Sequence, residues 1–566
     1  MSSGSAGQPA CSRRSQWAVF GFVLVVIAAV SIVPVLVPPL RGDAEVDIAA
    51  VRRHIEAIAA EPHPMGTTQI ERVRWFILGE LAGAGLLSET QTIRAPDYFG
   101  TAGGDTVEVV NILARIRGRS STGSVLLVAH YDTVPTTPGA NDNSMAVANL
   151  IELGRTIRSG QPLLNDVILL FTDGEEPAPR YGATAFMKHP WANDVAVVFN
   201  LEAVGETGPS MVVELAGGAP VVGGYSAAMD EPVAFSFMTQ TAELIGGAAS
   251  DFDVFREAGV PGLNFATFRG SAIYHTANDS IDRINDEVIR HQGATAHALV
   301  AHFGQVVLAT LSESGEDAFF TLAGSTMVRH PISWVTAALV ASATGLAVLG
   351  VVRARSRDLS VGAAIADSFV VLGTALLAVG AGSFLWILIV GLFPSIGVAA
   401  SYLALIVIAV LVGGIASWLV LWRGGISGDS LLVGVLVVWL VLAAALVAGA
   451  PGAAYVLVWP LAVATVAALS MPLWRWRWAW VIGASIVAAV ALPLTVPVID
   501  TFFLLAGPRP GNPGSELPYV IAVSVLCGYL VAVLIGATAL AGSRSTDGLC
   551  SRAGNARQHR MVEAGA

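Results

Sequence analysis

Three apolar runs in this chain each end in side chains able to hold protons or metals. SVLLVA (124–129) runs into His130-Tyr131-Asp132, VILLFT (167–172) into Asp173-Gly174-Glu175-Glu176, and VAVVFN (195–200) into Leu201-Glu202. Between the first two lies Gly139-Ala140-Asn141-Asp142-Asn143, and far downstream comes Tyr274-His275. Hard carboxylate and borderline imidazole ligands in one set suit zinc or a similar divalent ion. His130, His275 and three carboxylates, one of them bridging, are enough to hold two ions. Each piece alone has an ordinary reading. His130 and Asp132 make a strand-end capping pair, Glu175-Glu176 a solvated loop, and Asp142 a helix cap. Glu202 alone reads as a salt-bridge residue and His275 as a satisfied loop histidine. Their arrival in order at successive strand ends favours one shared site.

The elements around these residues alternate. Ala44–Ala60 and Thr67–Ala84 carry apolar residues at helical spacing, as do Ala146–Arg158 and Asp286–Leu311. Val107–Ile116, Ser124–His130, Val167–Phe171 and Val195–Leu201 are short β-rich runs suited to buried strands. This order predicts an α/β fold with a mainly parallel central sheet and helices on both faces. In such sheets the working residues lie beyond the C-terminal strand ends.

Composition sets a second constraint. The 566 residues are 54% hydrophobic and 13% charged, with a mean hydropathy of +0.66. Soluble chains average about 25% charged, so a purely soluble protein is excluded. Residues 43–329 hold 35 acidic and 17 basic residues, a net charge of −18, while the rest of the chain is net +7. An acidic water-exposed domain and a charge-poor membrane part account for the split, and the acidic domain argues against nucleic acid as a partner. Cys11, Cys527 and Cys550 all lie outside 43–329, so no disulfide staples that domain and no thiolate there serves a metal or a substrate.

Residues 17–40 form an apolar run flanked by Arg13, Arg14 and Arg41, ending in Pro38-Pro39 without a small-x-small cleavage site. It reads as an uncleaved signal anchor. Seven further runs near the ~20 residues a bilayer needs fall at 332–352, 368–390, 401–422, 430–450, 453–473, 478–499 and 517–541. Eight spans result, with room for a ninth near Pro394. Within these limits no span holds Asp, Glu, Lys, Arg or His. Arg353, Arg355, Arg357, Arg423, Arg475 and Arg477 fall in loops, and Arg544, Arg552, Arg557 and Arg560 in the tail. Placing all of them on the cytoplasmic side makes 1–16 a cytoplasmic N-terminus, 17–40 the anchor and 43–329 an extracytoplasmic domain. The multi-span α-helical transmembrane domain then runs over 332–541 in contact with membrane lipid, and 542–566 is a cytoplasmic tail. Only Arg41 and Arg509 then lie outside. Lys188 is the one lysine, a bias of GC-rich bacterial genomes, which would put the domain on the outer face of a plasma membrane.

HYD, GANDNS, DGEE, LEAVG and YHTANDS, with PHPMGT near the domain start, resemble the M28 metallopeptidases over residues 50–310. HPWAND and SDFDVFREAGVPGLNF resemble the membrane-bound branch of that family, whose peptidase domain, in the endoplasmic reticulum or vacuole, follows one span and precedes several. The resemblance implies the phosphorylase/hydrolase-like fold of zinc peptidases, two Zn2+ per chain and a peptide substrate. It implies that His130 and Glu202 are terminal ligands of one zinc, Glu176 and His275 of the other, with Asp142 bridging. Glu175 becomes the general base and Asp132 orients His130. Tyr274 is either a donor to the tetrahedral oxyanion or a packed loop aromatic. The Asp142-Asn143 peptide is cis in relatives. Position 202 is Glu where many secreted members have Asp, a position that varies with substrate class. Asp251 and Asp253 read as structural rather than as ligands.

An aminopeptidase facing out of the cytoplasm is the expected function. Alternatives are a transporter or scaffold with a non-catalytic peptidase-like domain, a carboxypeptidase, and a glutaminyl-cyclase-like acyltransferase on the same fold, which works with one zinc. Topology is directly testable. Alkaline phosphatase fused after Leu311 should be active, and a fluorescent protein fused after Ala566 should fluoresce. An inactive phosphatase with an externally labelled C-terminus would invert the arrangement.

Overall fold

The computed structural model describes residues 46–176, 180–312, 315–322, 326–356, 359–392, 428–470 and 489–498, with isolated positions within 404–416 and 483–487. They divide at Ile332/Ser333 into two compact units.

The first unit is built on seven strands: β1 Ser88–Pro96, β2 Thr106–Ile116, β3 Ser124–His130, β4 Asp166–Thr172, β5 Val195–Leu201, β6 Met211–Ala216 and β7 Gly262–Ala266. Their order is β1-β2-β4-β3-β5-β7-β6. The central four, β4, β3, β5 and β7, run parallel, while β1, β2 and β6 pair antiparallel at the two sides. All seven residues of β3 and of β4 are buried, as expected for unbroken apolar strands covered on both faces. In β3, Val125, Leu127 and Ala129 point into one core with Phe199, Phe303 and Leu150. Leu126 and Val128 point into the opposite core with Phe186, Phe252 and Phe255. The chain leaves β3 for β4 on one side and returns to β5 on the other, so the sheet reverses winding direction at β3, where α/β folds place their sites.

The helices start where capping chemistry allows. Asp47 accepts from Ala50 N at the head of Ile48–Ile58, and Thr67 accepts from Ile70 N before Thr68–Gly83. Ile70, Val73, Ile77 and Leu81 form the buried stripe of the latter. The helix expected over Asp286–Leu311 ends at Phe303, and a separate 3-10 turn covers Leu308–Ser312. Asn165 explains the stop. Its Nδ2 donates to the carbonyls of Phe303 (2.9 Å) and Val306 (2.7 Å), which a longer helix would have used itself. Strands β1, β6 and β7 went unread in the sequence, as did the antiparallel hairpin of β8 (Asp317–Leu322) and β9 (Thr326–Pro331).

Among the described residues, three helices are long and apolar enough to cross a membrane: Ile332–Arg355, Val361–Ile389 and Asp429–Gly449. Tyr455–Ser470 and Ala489–Val498 are shorter apolar helices. The expected spans 17–40 and 517–541 lie outside the described residues, and 401–422 and 478–499 are described only in part. Two helices begin before the limits drawn from hydropathy. Asp367 lies inside the helix Val361–Leu392, which begins before the limit of 368 drawn from hydropathy, and Asp429 lies inside Gly428–Gly449. Both are buried, and Arg353 pairs with Asp429 at 3.0 Å. A window average missed them because one acid at a helix end barely lowers the mean.

The β5–β7 contact admits no side chain at Gly262, where a Cβ would lie 2.1 Å from the Val198 carbonyl oxygen. Gly262→Ala should destabilise the fold by about 1–3 kcal/mol, read as a lowered thermal midpoint of the full chain in detergent. An unchanged midpoint would mean that β5 and β7 are not paired in this register.

Candidate active site

Every predicted site residue converges on the C-terminal edge of the parallel strands. His130 ends β3, Glu175 and Glu176 follow β4, Glu202 follows β5, and His275 lies on the loop after β7. Asp142 sits in the turn before the helix Ala146–Ser159, and the Asp142-Asn143 peptide is cis. His130 Nε2 lies 3.3 Å from Asp142 Oδ1 and 3.2 Å from Glu202 Oε2. His275 Nε2 lies 3.4 Å from Asp142 Oδ2 and 2.7 Å from Glu176 Oε1. Two groups able to hold a metal result, His130–Asp142–Glu202 and Asp142–Glu176–His275, and Asp142 belongs to both. A third overlapping group joins His130, Glu175 and Glu176.

The donor set fits a divalent ion. Bonds of 2.0–2.1 Å in a tetrahedral site imply ligand separations of about 3.3 Å, and three of the four distances above lie between 3.2 and 3.4 Å. Asp142 Oδ2 is buried without a hydrogen bond, a costly state for a carboxylate oxygen that a cation would relieve. The titration of the neighbours agrees. Burial above all pushes Glu176 and Asp132 each up to about 7 and Glu175 well above the usual carboxylate range. Burial works against a charged His275, but the carboxylates of Asp142 and Glu176 against its ring outweigh it and lift the imidazole to about 9. The cluster demands positive charge.

Supporting groups fix the ligands. Asn143 Nδ2 donates to Glu202 Oε2 at 2.9 Å and Asn200 Nδ2 to Oε1 at 2.8 Å. Neither asparagine was singled out in the sequence, although both stand inside or beside its motifs. Asp132 lies against His130 in two ways. His130 Nδ1 meets the backbone carbonyl of Asp132 at 3.1 Å, with the carboxylate farther away at 3.7 Å. That carboxylate also accepts from the backbone N–H groups of Glu175 (3.1 Å) and Glu176 (3.0 Å), holding the turn after β4 against β3. Asp173 accepts from Val110 N and pairs with Arg74, bracing the same turn from the far side. The Tyr274 ring stacks on His275, centroids 3.7 Å apart. Asp253 pairs with Arg180 and Arg256. Asp251 accepts from Thr172 Oγ1 at 2.5 Å and belongs to none of the metal-competent groups found among the described residues.

Residues 111–300, which contain all of these ligands, match the family description "Peptidase family M28". Over that stretch the chain is similar to the M28 peptidases. Over 309 residues the chain is 29% identical to Endoplasmic reticulum metallopeptidase 1 of Mus musculus, covering 51% of this chain and 34% of that one. Over 212 residues it is 34% identical to Vacuolar membrane protease of Candida dubliniensis, covering 37% and 22%. The chain thus spans 34% or less of the length of these two relatives. Among solved structures, a zinc aminopeptidase from Bacillus subtilis aligns with 45% of this chain and 94% of its own, at 18% identity and a TM-score of 0.37. The glutaminyl cyclase of Porphyromonas gingivalis aligns with 45% and 98%, at 19% identity and a TM-score of 0.37. The stretch similar to that family, residues 111–300, is followed among the described residues by three helices long and apolar enough to cross a membrane.

Proposed function

We propose that the chain is a membrane-anchored, zinc-dependent exopeptidase, an aminopeptidase, whose 43–329 domain faces out of the cytoplasm, across a bacterial plasma membrane. The observation that carries this is the pair of His/carboxylate groups sharing Asp142, with Glu175 beside them and outside the bridged set. His130, Asp142 and Glu202 would hold one Zn2+, and Asp142, Glu176 and His275 the other. Zinc bound there supplies a Lewis acid that polarises the scissile carbonyl and lowers the pKa of water toward ~7.

The protein's own groups do the rest. Glu175 takes the proton of the attacking water on its carboxylate and returns it to the leaving amine nitrogen. Its burial, with Glu176, Glu202 and Asp251 as neighbours, keeps its proton affinity high enough for that exchange. Asp132 holds the backbone of Glu175 in place for it. Tyr274, fixed by its stacking on His275, is the side chain nearest in sequence for donating to the oxyanion.

Charge supports the choice of terminus. Asp132, Asp142, Glu175, Glu176, Glu202 and Asp251 are all buried at this edge. The strongest electrostatic influences on Glu175 come from His130 and from other acids, with no Arg or Lys among them. Such surroundings attract a substrate's free ammonium and repel a terminal carboxylate.

The full chain in detergent should hydrolyse aminoacyl reporters, and N-acetylation of the same reporters should abolish turnover. Glu175→Gln keeps the side chain's shape but cannot accept the proton, so kcat should fall by about 10²–10⁴-fold with metal content near wild type. Glu176→Gln should lose metal as well as activity. Cleavage of the acetylated reporters would overturn the aminopeptidase assignment. Near-normal turnover in Glu175→Gln would overturn the role of the base.

A further inference from the structure

Asp279 was never singled out in the sequence, yet it is fully buried and ties together two loops that lie far apart in the chain. Its Oδ1 accepts from Asn141 N (2.7 Å) and Asn141 Nδ2 (2.9 Å), and its Oδ2 accepts from Asp142 N (3.0 Å). Its backbone carbonyl accepts from Ala140 N at 3.2 Å. On its own side, Asp279 N donates to Thr276 O at 3.1 Å, closing the turn that carries His275. Thr136 Oγ1 adds a bond to the His275 carbonyl at 3.2 Å along the same seam.

The turn needs such support. His275 has φ +58°, the left-handed region that a residue with a side chain occupies only when its surroundings over-determine it. Three donors meet one acceptor-only group at Asp279, and an ionised carboxylate makes such bonds shorter and stronger than a neutral amide does. An asparagine there would aim an N–H at an N–H. The other end of the site is held by different parts: His130 by β3 and its own turn, Glu202 by Asn143 and Asn200.

We propose that Asp279 is a positioning residue that sets the separation of Asp142 and His275, and with it the affinity of the Asp142–Glu176–His275 group for its ion. The proposal rests on reading that group as a metal site. Its consequence is asymmetric. Weakening the clasp loosens the His275 side, which loses the bonds of its own turn, more than the His130–Glu202 side, which shares only the Asp142 loop with it, whereas a general fold defect affects both alike.

The test uses the full chain in detergent, dialysed against graded free Zn2+ and, in parallel, Co2+ for its visible absorption. Wild type should hold two ions. Asp279→Asn should hold one tightly, bind the second about 10–100-fold more weakly, keep its far-ultraviolet circular dichroism, and show an unchanged cobalt spectrum for the retained ion. Asn141→Ala, which removes one donor of the three, should weaken the second ion about 10-fold, and it decides the matter by the same criterion if Asp279→Asn does not fold. Two ions at wild-type affinities in both variants would overturn the clasp and leave the two-site reading intact. Equal weakening of both ions would also overturn it. Fewer than two ions on wild type would overturn the two-site reading itself, and the clasp with it.

Discussion

Burying a carboxylate away from water is among the most unfavourable steps a fold can take unless a cation or several hydrogen-bond donors compensate it. This protein buries Asp132, Asp142, Glu175, Glu176, Glu202 and Asp251 at one edge of one sheet around two imidazoles, with Asp173 and Asp279 buried alongside. Only part of that charge is answered by the chain. Asp132 receives two backbone N–H groups, Glu202 two side-chain amides, and Asp251 a threonine hydroxyl. Asp142, Glu176 and Glu175 meet little beyond the two histidines. That imbalance is what makes the site reactive toward cations, and the rest of the domain serves to keep it from relaxing.

The scaffold does so by placing each acidic residue on a segment that cannot move alone. β3, β4 and β5 are packed on both faces, so their ends are fixed to within the tolerance of the core. The loops that carry Asp142 and His275 have no such anchor, and buried polar side chains take over: Asp279 for one pair, Asn143 and Asn200 for the other. Residues that contact no substrate thus decide whether the ligands meet.

Legibility in the sequence followed the same division. β2 to β5 could be read because each is rich in β-branched and other apolar residues, β3 and β4 almost without interruption, and the ends of β3, β4 and β5 named His130, Glu175, Glu176 and Glu202. Asp142 and His275 lie on irregular loops, and their roles came from the resemblance of whole motifs. β7 has five residues, including Gly262 and Asn264, too short and too polar to show a period. The long final helix was overextended because Asn165, 138 residues away in sequence from Phe303, supplies the stop. Which atom of Asp132 faces His130 was not legible, since nothing in a sequence tells a backbone carbonyl from a carboxylate as the partner of an imidazole. Asp367 escaped because hydropathy places the ends of a helix poorly.

The central claim is that two ions share Asp142, and anomalous diffraction from crystals of the full chain, recorded on both sides of the zinc absorption edge, tests it most directly. The account predicts two zinc peaks roughly 3.5–4 Å apart, one flanked by His130 and Glu202, the other by Glu176 and His275, with the Asp142 carboxylate between them. A single peak, or two peaks that Asp142 does not bridge, would contradict it.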